Sequence, residues 1–229
     1  MNHRGDTIWA LVHAERVALA ADLADLTDDQ WATPSLCSDF TVREVLAHLT
    51  SGASLTPVRW LAGVIRCRFD FDKNVAMRLA EELGATPGDT LERFRRAATT
   101  RRSPIPIIAV LGEILVHGED IRRPLGIRRA YPIDTITRVA QYYQGSDFVV
   151  PAKGRIKGLR LVATDGPFAV GSGPLVTGTT LALTMAMTGR SVYCDELEGD
   201  GSRPCATVAA SAEATKARTP KYGVRAFTD

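Results

Sequence analysis

The stretch Leu111-Gly112-Glu113-Ile114-Leu115-Val116-His117-Gly118-Glu119-Asp120-Ile121-Arg122 sets a glutamate and a histidine four residues apart in a run that reads as α-helix. At that spacing both side chains leave the same helix face, one turn apart. A second stretch with helical character, Thr41-Val42-Arg43-Glu44-Val45-Leu46-Ala47-His48-Leu49, carries another histidine. Two imidazoles and one carboxylate can hold a zinc-type ion and leave a coordination position open. That is the arrangement of a catalytic site rather than a closed structural one. The chain has only four histidines, so two placed inward on helices are a selective signal.

Working outward, the residues before these stretches also read as helices. Thr7 to Leu26 carries Ile8, Leu11, Val12, Val17, Leu19, Leu23 and Leu26, a broad amphipathic stripe. Thr27-Asp28-Asp29-Gln30 and Thr41-Val42-Arg43-Glu44 both have the capping-box pattern, and Pro34 breaks the chain between them. Further helices are expected over 56–67, 72–83 and 89–99. Pro104 and Pro106 suit the entrance of the helix bearing Glu113 and His117, and Pro124 and Gly126 its end.

The pattern changes after Ser146. Leu159 to Ala163 and Phe168 to Val170 are short and β-compatible, separated by the turn signal Thr164-Asp165-Gly166-Pro167. Thr179 to Met187 reads as a short helix stopped by Gly189, and Cys205 to Val208 as one more short strand. The segment from Lys216 onward is polar. The organisation expected is α+β: a helical bundle over 1–145, then a small α/β domain over 146–229.

Composition removes several function classes. The 229 residues are 45% hydrophobic with a net charge of +2, so a real core is affordable and no strong pull toward nucleic acid or an anionic membrane is implied. No apolar run reaches the length of a bilayer span, and no signal-peptide core follows the N-terminus. Four widely spaced cysteines without a C-x-x-C pair read as reduced thiols in a cytosolic protein. There is no strand–G-x-G-x-x-G–helix context, no Walker pattern and no G-x-S-x-G elbow.

His48, Glu113 and His117 are therefore the candidate ligands. Imidazole and carboxylate suit zinc, with nickel or iron compatible with the same set. Asp120, three residues after His117, could orient an imidazole or pair with Arg123, whereas Glu119 reads as a salt-bridge residue. Cys37 could face the same cavity or fill the core as a small apolar residue. His3 and His13 read as non-ligands. The bland alternative is a bundle in which the three residues are polar members of the core.

Trp31-Ala32-Thr33-Pro34-Ser35-Leu36-Cys37, followed by Phe40 to Leu49, resembles the N-terminal signature of the mycothiol-dependent maleylpyruvate isomerase family. Glu113 to Ile121 resembles its second signature. Gly158 to Asp165, Gly173-Pro174 and Met187-Thr188-Gly189-Arg190 resemble its small C-terminal domain. The resemblance implies a DinB-like four-helix bundle followed by a sterol-carrier-like α/β domain. It implies His48, Glu113 and His117 as metal ligands and catalytic residues around a divalent ion, zinc above all. It implies mycothiol as co-substrate and a small-molecule electrophile as partner, with neither nucleic acid nor membrane, in a monomer or homodimer. An arginine of the C-terminal domain matters in that family, and Arg190 is the candidate for contacting mycothiol. The expected chemistry is thiol attack on an electrophilic carbon, ending in S-transfer or in cis–trans isomerisation of a maleylpyruvate-like substrate. The alternative is a non-catalytic module that binds a metal and a small ligand. Phe40 stands where the family usually has tryptophan.

Overall fold

Threonines open half of the α-helices in the computed structural model of the chain, which describes residues 3–37 and 40–202. Helix α1 spans His3–Asp22. Thr27 and Gln30 then cap each other reciprocally to start α2, Asp28–Trp31. Thr41 and Glu44 do the same for α3, Val42–Ser54, with the Thr41 amide donating to Glu44 Oε2 at 2.8 Å. A box not expected from the sequence, Thr86 with Asp89, starts α6, Pro87–Ala97. Each box satisfies two amides that the first helical turn leaves without partners. Between them lie α4, Pro57–Arg66, and α5, Phe71–Glu82. Helix α7 runs Ile107–Arg122 behind Pro106. Gly126, at φ +70°, turns the chain soon after α7 ends, a conformation that costs glycine nothing.

Helices α1, α7, α3 and α6 touch in a closed ring, α1 on α7, α7 on α3, α3 on α6 and α6 on α1, which makes a four-helix bundle. Its core is built from Val12, Leu19, Leu46, Phe94, Leu111 and Leu115, all fully or nearly fully buried. Helix α5 packs on α3, and α4 on α5. Val64 of α4 points inward, but Val58, Leu61 and Ile65 point out, with Val58 78% exposed. Phe69, at φ +63° in the turn before α5, extends that apolar ridge.

The described residues divide into two compact units at Ile127 and Arg128. The sequence placed the division near 145. The difference is α8, Ile133–Gly145, which packs its Ile136, Val139 and Tyr143 face with α10, Thr180–Met187, in the second unit. That unit also holds the short α9, Ala152–Arg155, and a three-stranded sheet. Strand β1, Arg160–Ala163, lies between β2, Ala169–Gly171, and β3, Leu175–Gly178. β1 pairs antiparallel with β2, Leu161 opposite Val170, and parallel with β3, Leu161 opposite Val176. Gly171 has φ +79°, and a side chain there would collide with the Leu159 carbonyl, so only glycine closes this strand end. Asp165 in the β1–β2 turn accepts from the amide and hydroxyl of Thr180 and so fixes the start of α10. Strand β3 and a 3-10 turn over Ser191–Glu196 were not foreseen, and the strand expected at 205–208 and the polar tail from 216 lie outside the described residues. No helix among the described residues is long and apolar enough to cross a membrane.

Candidate metal centre

Helix α3 carries His48 two turns from its capped start, and α7 carries Glu113 and His117 one turn apart. Because α3 and α7 are neighbours in the bundle, the three side chains meet. Glu113 Oε2 lies 3.4 Å from His117 Nε2 and 3.8 Å from His48 Nε2. The imidazoles stand edge to face with centroids 5.0 Å apart. All three ligand atoms fall within 4.8 Å of one another.

These spacings fit a shared cation. Ligand atoms at about 2.0–2.2 Å from a tetrahedral ion stand about 3.4 Å apart. A direct charged hydrogen bond would instead pull nitrogen and oxygen to about 2.8 Å. The donor set of two imidazoles and one carboxylate suits zinc, and three protein ligands leave a position open.

His117 is held in the orientation such a site needs. Its Nδ1 donates to Asp120 Oδ2 at 2.8 Å, and Asp120 is fully buried. With Nδ1 engaged, Nε2 is the nitrogen turned to Glu113 and His48. Of the two roles open to Asp120 in the sequence, the structure thus shows the imidazole partner. Cys37 joins the same group, its thiol within reach of both His117 and Asp120. Burial pushes the His117 imidazolium down, but hydrogen bonding to Asp120, Cys37 and Glu113, with the Glu113 charge, raises it well above its ordinary value. Burial likewise pushes the Glu113 carboxyl up, yet its contacts with His117 and His48 hold it well below the usual carboxylate range. The surroundings therefore favour positive charge beside an ionised Glu113.

A cavity of about 110 Å³ opens beside His48 and Glu113. Its walls are mostly apolar, with Leu49, Ile105, Val110 and Ile114 prominent. Arg16 of α1 also lines it and is only 3% exposed. Sequence reading passed over Arg16, yet a signal was present: it sits four residues after Val12 and three before Leu19, inside the apolar stripe of α1. Arg190 belongs to the second unit, where it is 5% exposed and its Nη1 donates to the Thr188 carbonyl at 2.9 Å.

A helical bundle of this ring topology, with an inward histidine–glutamate–histidine cluster and a small α/β unit in the same chain, falls in the DinB-like class. Residues 12–106 match the family model of the mycothiol maleylpyruvate isomerase N-terminal domain. His48 lies within the matched residues, and Glu113 and His117 follow them. Two solved structures share the fold: the mycothiol-dependent maleylpyruvate isomerase and a histidine-to-alanine mutant of it. Each superposes with a TM-score of 0.60 at 12% identity, covering 86% of this chain and 93% of that chain. No curated protein matches the sequence.

Proposed function

We propose that this chain is a metal-assisted, mycothiol-dependent enzyme that directs a thiol onto an electrophilic small molecule. The observation that carries the reading is the convergence of His48, Glu113 and His117, at ligand-like spacing, on the edge of a cavity. The family model that residues 12–106 match supports mycothiol as the thiol and a maleylpyruvate-like compound as the electrophile. A divalent ion held by the three residues would favour thiolate over thiol and so supply a nucleophile at neutral pH.

The protein's own groups perform the rest. Asp120 fixes the His117 ring, and the contacts with His117 and His48 keep the Glu113 carboxylate ionised as a ligand. The apolar cavity excludes water from the reacting carbon. Thiolate addition to the alkene moves the π electrons onto the conjugated carbonyl and leaves a single carbon–carbon bond. Rotation about that bond and loss of the thiolate gives the trans isomer. Protonation of the same adduct gives an S-conjugate.

The test uses metal-loaded protein with a bimane or a maleyl compound, with and without mycothiol. Turnover should require both the thiol and His48, and His48→Ala or His117→Ala should lower zinc content by elemental analysis. Equal activity with glutathione, cysteine and bacillithiol would remove the mycothiol assignment. Unchanged metal stoichiometry in both variants would remove the ligand assignment, and a metal-loaded protein inert with every thiol would be a binding module.

A further inference from the structure

Arg16 is a buried cation. Its Nη1 donates to the Thr100 carbonyl at 3.1 Å and reaches the Ala97 carbonyl and the Thr100 hydroxyl, each at 3.5 Å. No acid pairs with it among the described residues. Burial lowers its pKa to about 10, so it keeps its charge at neutral pH. A guanidinium taken out of water is costly unless an anion meets it. Arg16 also lines the cavity that His48 and Glu113 line.

We infer that Arg16 selects the substrate: the cavity takes a small electrophile whose carboxylate pairs with Arg16 while its apolar body lies against Leu49, Ile105, Val110 and Ile114, with its reacting carbon at the His48–Glu113 end. The inference rests on the function proposed above and adds the charge and polarity of the substrate. A planar guanidinium matches a carboxylate in two parallel hydrogen bonds. The walls supply few other donors, which favours a singly charged carboxylate over a phosphate. In the metal-free protein the Glu113 carboxylate opposes an acid in this cavity, and the Arg16 charge offsets it.

Arg16 also holds the end of α6, and the test separates the two roles. The probes are 4-oxopent-2-enoate and its methyl ester as thiol acceptors, and saturated 4-oxopentanoate and its methyl ester as unreactive binders. In wild-type protein kcat/KM should favour the acid over the ester, and Arg16→Met should cut that preference at least about tenfold, with Arg16→Lys retaining part of it. An equal fall for acid and ester would show a structural role only and overturn the inference. Calorimetric titration of the wild type, metal-free, needs no variant: 4-oxopentanoate should bind and its ester should not. Equal binding of the two would overturn the inference. If neither electrophile turns over with mycothiol while the acid still binds selectively, the thiol-transfer reading fails and the assignment of Arg16 stands.

Discussion

Asp120 is the residue on which the geometry of His117 depends, and its contribution is separable from that of a ligand. Asp120→Asn keeps size and burial but weakens the acceptor for Nδ1. Zinc affinity should fall about 10- to 100-fold, read by competition with a chromophoric chelator, while stoichiometry at saturating zinc stays the same. A lost stoichiometry would make Asp120 a ligand. His13 carries a different expectation. Burial lowers its pKa, opposed by the hydrogen bond with Thr100 and assisted by the charges of Arg16 and Arg101. A folded value below the model-compound 6.5 means that the folded state binds this proton more weakly than the unfolded chain. His13 therefore contributes stability above pH 6.5 that is lost as pH falls through that value. Arg16→Met should raise the His13 pKa in an NMR titration, and no shift would show that the Arg16 charge does not reach the ring. At this scale the clustering of His48, Glu113 and His117 was legible because two of them share a helix face and the third follows a capping box at fixed phase. Arg16 was not, because a single arginine in a helix is ordinarily a solvated residue and only the fold shows that this one is buried.

The helix start at Thr41 sets both stability and the position of His48. Thr41→Ala removes the acceptor for the Glu44 amide and the hydroxyl that donates to Glu44 Oε2, and should cost about 1 kcal/mol. Denaturant unfolding would measure this, with an unchanged slope. If stability is unaltered, the box seen here is not coupled to folding. The capping boxes at Thr27 and Thr41 and the prolines before α7 were legible in the sequence, whereas the box at Thr86 that starts α6 was not. Strand β3 was not, because Leu175-Val176-Thr177-Gly178 is only four residues between glycine-rich turns and its pairing partner is set by tertiary contact. Helix α8 was covered by the expectation of a helical first part, but its amphipathic pattern says that a face is buried and not which core buries it.

On the scale of the whole molecule, two units with separate cores make a specific calorimetric expectation. On the proposed function zinc would bind only the folded first unit, so at about 1,000 times its Kd it should stabilise that unit by about 4 kcal/mol. Scanning calorimetry with zinc and with chelator should move the transition of the first unit and leave that of the second in place. A second-unit transition that moves equally would show that the units unfold together. The boundary at Ile127 rather than 145 follows from the same separation, because α8 shares its apolar face with α10. The outward ridge of Val58, Leu61, Ile65 and Phe69 on and after α4 has a consequence for the protein in solution. A net charge of only +2 supplies little mutual repulsion to keep such ridges apart. Sulfate raises the cost of leaving apolar surface wet. The molecule should therefore salt out early in ammonium sulfate, and hydrophobic-interaction resin should retain it strongly through this one helix.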